Sequence, residues 1–231
     1  MLDRKKIVTP LIVIIIIVVI AAGGFFLINL NKNSQKAKTT NPIIESYRKQ
    51  LSDLAKKSES SPTDPSAHKN YAVALYATGD LAKAKDQYQS AIKYDDKNAV
   101  LYNNLGNVNR DLGRYDDAIN AYGKAIGLNP KGLNSYVNLG NMYDFSLGKP
   151  DLAVELYKNA LKANPKNVDL EIQLGISYEQ TKDFTSAESV YSDILKDNPG
   201  NQAATAGLSR VKNSSKASPS ATPTPTKASK K

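Results

Sequence analysis

Apolar side chains recur along residues 65–201 in two superposed rhythms. Locally they fall three and four residues apart, the spacing of one face of a helix. Over longer distances the whole pattern returns. Ala84, Ala118, Ala153 and Ala187 lie 34, 35 and 34 residues apart. A tyrosine follows each alanine by four residues (Tyr88, Tyr122, Tyr157, Tyr191), and Ala91, Ala125, Ala160 and Ile194 follow by seven. Asp96, Pro130, Pro165 and Pro199 close the four segments. Self-similarity at this period predicts stacked helix–turn–helix units, here 65–98, 99–132, 133–167 and 168–201. Each unit is too small to bury its own apolar face, so the core must come from stacking. Gly79, Gly113 and Gly148 mark the tight turn between paired helices.

The residues at this period resemble the tetratricopeptide repeat (TPR) family. Its pattern places an aromatic, leucine-glycine and tyrosine on a first helix, then small alanines and an aromatic on a second, with a closing proline. The second unit carries Tyr102, Leu105, Gly106, Gly113, Tyr115, Ala118, Tyr122, Ala125 and Pro130. The third carries Tyr136, Leu139, Gly140, Tyr143, Ala153, Tyr157, Ala160 and Pro165, with one extra residue near "FSLGKPD" expected in a longer turn. The fourth has Leu174, Gly175, Tyr178, Phe184, Ala187, Tyr191 and Pro199, with Glu171 at the first aromatic position. The first departs most: His68, Tyr71 and Ala72 stand where the family has an aromatic, leucine and glycine. The resemblance implies an all-α fold, an α-solenoid whose first helices line a concave face.

The hydrophobic pattern is different at the start of the chain. Residues 11–28, "LIVIIIIVVIAAGGFFLI", contain no polar side chain. Eighteen residues at the helical rise cover roughly 27 Å, close to the thickness of a bilayer's hydrocarbon. This run predicts one N-terminal transmembrane helix over residues 7–30, after a basic end at 1–6 carrying Arg4, Lys5 and Lys6. A cleaved signal peptide is the competing reading, but Phe25 to Ile28 extend the run past the usual core length. The basic cluster favours a cytoplasmic N-terminus, with the repeats on the outer side of the membrane.

Residues 31–64 read as a linker containing an amphipathic helix at 43–57, with Ile43, Ile44, Tyr47, Leu51 and Leu54 on its apolar face. That helix could pack on the first unit or pair with its copy in a second chain. Residues 202–213 read as a capping helix with Ala203, Ala206, Leu208 and Val211 turned inward. The tail, 214–231, is basic and rich in serine, threonine and proline, without a large apolar side chain, and is expected to remain disordered.

Composition then narrows the chemistry. Cysteine is absent and histidine occurs once. Disulfides, thiolate metal sites and cysteine nucleophiles are excluded, and a histidine metal site or Ser-His-Asp triad is disfavoured. No catalytic residues, metal site or cofactor are expected. The formal charge of +9 suggests nucleic acid until it is divided. Residues 65–201 carry −2, while 1–30, 31–64 and 202–231 carry +2, +3 and +6. A nucleic-acid module concentrates basic charge on its folded face, so no nucleic-acid partner is expected.

The candidate site is a ladder of side-chain amides on the first helices. The sixth position of the units is Asn70, Asn104, Asn138 and Gln173; the ninth includes Asn107 and Asn141. Amides both donate and accept, so they can hold an extended peptide backbone without reading its sequence. Asn103 and Arg110 join this set. Lys69, Tyr76, Val137, Asp144, Phe145, Ile172 and Glu179 are candidates for specificity. Some family members clamp a terminal carboxylate with lysine followed four residues on by asparagine; here Lys69 is followed by Val73, so that clamp is incomplete. The expected function is a membrane-anchored module that binds a peptide or protein, as a co-factor of envelope assembly or secretion. The alternative is a structural spacer or self-associating scaffold.

Overall fold

The computed structural model describes residues 41–217 and, for the backbone, residues 16–21 and 24–29. The chain falls into two units, Met1–Asn41 and Pro42–Lys231.

In the first unit, β1 (Ile16–Ala21) and β2 (Gly24–Asn29) pair antiparallel, with Ile16 opposite Asn29 and Ala21 opposite Gly24. Where it is described, the segment expected to form a transmembrane helix over 7–30 is therefore extended; the remainder of that span lies outside the described residues. A continuous apolar run carries no period to separate helix from strand, and IIVVIA is rich in β-branched side chains that suit a pleated backbone. Among the described residues no helix is long and apolar enough to cross a membrane. The basic end 1–6, residues 31–40 of the linker and residues 218–231 of the tail also lie outside the described residues.

The second unit is all-helical. Helix α1 (Pro42–Ser60) leads into four pairs: α2 (Pro65–Thr78) with α3 (Leu81–Tyr94), α4 (Ala99–Asp111) with α5 (Tyr115–Leu128), α6 (Leu133–Asn141) with α7 (Pro150–Ala163), and α8 (Val168–Gln180) with α9 (Phe184–Asp197). Helix α10 (Gln202–Ala217) follows. Each helix packs on the next in sequence, and the first helices also form their own row, α4 on α6, α6 on α8 and α8 on α10. The polar residues before each helix explain where several begin: Asp64, Asp80, Asn98, Asn167 and Asp183 each accept a backbone N–H of the first turn. Gly79, Gly113 and Gly148 take positive φ between paired helices (91°, 73° and 60°), where an L side chain is strained. In the fourth pair Lys182 accepts that conformation at φ 61°.

The core consists of what the period repeats. Tyr88, Tyr122, Tyr157 and Tyr191 are buried, as are Ala84, Ala118, Ala153 and Ala187. The extra residue of the third unit does not lengthen the turn, as the sequence suggested. It is absorbed by a π-helical turn, Met142–Ser146, closed by Leu147 N–H donating to the Met142 carbonyl at 2.9 Å. That bond spans five residues instead of four, so the extra residue is taken up inside the helix, where Met142 and Asp144 are buried. Helix α1 packs on α2, with Leu51 against the first core cluster. In α10 the buried residues are Ala204, Gly207 and Val211, so Ala204 and Gly207 take the inward role expected of Ala203 and Ala206.

Candidate functional site

The row of first helices carries a cavity of about 550 Å³, walled by α4, α6 and α8. Its lining is mainly side-chain amide: Asn103, Asn104, Asn107, Asn134, Asn138 and Gln173, interleaved with Leu133, Val137 and Ile172 and closed at one end by Asp169. Five of the eight residues singled out in the sequence come together here: Asn103, Asn104, Asn107, Asn138 and Gln173. Asn70, Arg110 and Asn141 do not line this cavity. Asn70 is exposed on α2, and Asn141 is half-buried at the end of α6. Arg110 is committed elsewhere, its Nε donating to Asp111 Oδ1 at 2.8 Å.

The amides are partly spent on one another. Asn103 Oδ1 accepts from Ser135 Oγ at 3.1 Å and from Asn138 Nδ2 at 3.0 Å, which ties α4 to α6. Asn107 Oδ1 accepts from the Tyr122 hydroxyl at 2.7 Å. Asn104 lies against the hydroxyl of Tyr88 from the preceding pair. Burial of that phenol, before any effect of Asn104, pushes its pKa up to about 12. Asn103 spends both ends of its amide, its Nδ2 donating to Asn104 Oδ1 at 3.4 Å, whereas Asn107 and Asn138 each engage one end. Asn107, Asn134, Asn138 and Gln173 all line the cavity, and the amide groups not engaged by the fold can donate to and accept from a peptide main chain.

Leu133, Asn134 and Asp169 complete the cavity and were missed from sequence. The signal was available: Asn134 stands four residues before Asn138, and Asp169 four before Gln173, on the same helix face one turn earlier. His68 is a packing residue, 9% exposed, with Nδ1 2.8 Å from Gln87 Oε1 and Nε2 3.0 Å from the Pro62 carbonyl. Among the specificity candidates, Asp144 is 6% exposed, and its Oδ2 accepts from Ser177 Oγ at 2.7 Å. Burial raises its pKa from 3.8 to about 6, against the lowering effect of Ser177. Among the described residues no group of three or more histidine, cysteine, aspartate or glutamate side chains could hold a metal ion.

Two family models, each described as tetratricopeptide repeat, match residues 99–131 and 144–211. These two stretches carry tetratricopeptide repeats. The TPR scaffold is generally non-catalytic and associated with protein–protein interaction. Among curated proteins none matches the chain. Solved structures share its fold. One is YrrB, described as a TPR protein with an unusual peptide-binding site (TM-score 0.54, 21% identity, covering 72% of this chain and 85% of that one). Another is MamA (0.54, 22%, 68% and 89%). A third is the C-terminal part of a TPR repeat-containing protein from Cytophaga hutchinsonii (0.64, 16%, 77% and 70%).

Proposed function

We propose that the chain binds an extended segment of a peptide or protein partner along the amide-lined face of α4, α6 and α8. The observation that carries this reading is the cavity itself. Uncommitted amide ends stand on three successive helices beside small apolar patches, an arrangement suited to main-chain recognition. The peptide-binding site named for YrrB, a structure of the same fold, agrees with this reading.

We further propose that the module works at a membrane, as a co-factor of envelope assembly or secretion, with its N-terminus cytoplasmic and its repeats outside. The support is the uncharged run from Ile7 to Asn31. A two-stranded ribbon leaves its edge N–H and C=O groups unpaired, which hydrocarbon penalises by several kcal/mol per group. Contact with lipid would therefore drive this run from β1 and β2 into a single spanning helix.

The test is capture from native membranes by the full chain. Asn104→Ala with Asn138→Ala should lose the captured partner while keeping helicity, measured by circular dichroism. Equal capture by the variant and the parent would refute the groove reading.

A further inference from the structure

We infer that the groove is electrically polar along its length and takes an extended segment in one charge order, with a basic side chain at Asp169 and an acidic one at Lys69. This rests on the reading of the groove as a peptide site. The charges of the first-helix face cancel everywhere except near its ends. Arg110 is held by Asp111, whose other oxygen accepts from the Tyr76 hydroxyl at 2.5 Å. Glu179 is held by Arg210 at 2.8 Å and by the Tyr191 hydroxyl at 2.6 Å. Asp144 is buried against Ser177.

Two charges remain. Asp169 is exposed in the first turn of α8 and forms the acidic end of the cavity. Lys69 on α2 is the counterpart of Asn103, Val137 and Ile172, one unit apart each, and all three line the cavity. Neither Lys69 nor Asp169 enters an ion pair among the described residues.

The spacing of the two charges sets a length. Helices α2 and α4 are joined by the Tyr76–Asp111 bond, and α4, α6 and α8 are neighbours. Three interaxial steps of roughly 9 Å separate the charges by about 27 Å. An extended chain covers that distance in about eight residues. The amides between them carry no net charge, so they add grip without choosing a sequence. A ligand of this groove therefore bears lysine or arginine at one end and aspartate or glutamate about eight residues away, joined by an uncharged stretch.

The experiment is selection from a display library of random twelve-residue peptides, using the full chain in detergent and the Asn104→Ala/Asn138→Ala variant as the counter-selection. The expected result is enrichment of one base and one acid about eight residues apart, always in the same order. Asp169→Lys should weaken the selected peptides about fivefold, and replacing their base with glutamate should restore binding. Enriched peptides without this charge pattern, or indifferent to Asp169→Lys, overturn the polarity while the groove reading stands. No enrichment over the counter-selection overturns both.

Discussion

Gly106 and Tyr122 occupy one another's space: a Cβ on Gly106 would stand 2.6 Å from two ring carbons of the buried Tyr122. The same closure joins Gly175 to Tyr191, where the Cβ would also stand 2.6 Å away. Tyr191 is additionally closed by Gly207 of α10. The glycine lets the first helix of a pair approach the second until the ring fills the gap, and this contact sets the distance between paired helices. Gly106→Ala is expected to destabilise the protein by about 1–2 kcal/mol, since the overpacking cost exceeds the gain in helix propensity. Gly123→Ala, in the exposed middle of α5 with nothing within 4 Å of the added atom, should instead stabilise it by up to about 1 kcal/mol. Urea melts of the two variants check the opposite signs.

Asp144 makes the junction of the third and fourth pairs dependent on pH. Its carboxyl keeps its proton up to about pH 6 in the folded chain and loses it near 3.8 when unfolded. Its contribution is therefore fullest below about pH 4 and declines as pH rises through about 6. Asp144→Asn keeps an oxygen that accepts from Ser177 and removes the charge. The variant should show a flatter stability profile between pH 4 and 6, and should exceed the parent by on the order of 1 kcal/mol at pH 7.5. A slope unchanged by the substitution would remove Asp144 as its source.

At the far end, Arg210 donates Nε and Nη2 to the two oxygens of Glu179, at 3.0 and 2.8 Å, and Glu179 also accepts from Tyr191. This bidentate pair fastens α10 over α8 and α9. Because Arg210 is half exposed, Arg210→Ala should cost no more than about 1 kcal/mol. The loss should appear locally, as faster amide exchange in α10 with α2–α7 unchanged, and it should shrink in high salt. Uniformly faster exchange across all helices would contradict a local fastening.

The repeat fold was readable because its determinants are periodic: the same alanine and tyrosine appear four times and the glycine three, and the stacking core needs little else. Two features escaped for physical reasons. The extra residue of the third unit has no sequence marker that separates a longer turn from a widened helix; the hydrogen bond from Leu147 to the Met142 carbonyl decides it. The uniform run at 7–30 has no period at all, so its extended form at β1 and β2 was invisible. The candidate site was half legible. The ladder position named Asn104, Asn138 and Gln173, but periodicity alone does not tell which amides the fold itself consumes. Asn107 is partly spent on Tyr122 and Arg110 is spent on Asp111. Asn134 and Asp169 enter the cavity from one helical turn below.

Site-specific photocrosslinking of the full chain in intact cells probes the groove most directly. A photoreactive phenylalanine derivative would be placed at Asn134 on the cavity wall and, separately, at Gly123 on exposed α5. The groove account predicts discrete adducts to a partner segment from position 134, competed away by that segment as a synthetic peptide, and none from position 123. Equal labelling from both positions, or labelling from 123 alone, would contradict it.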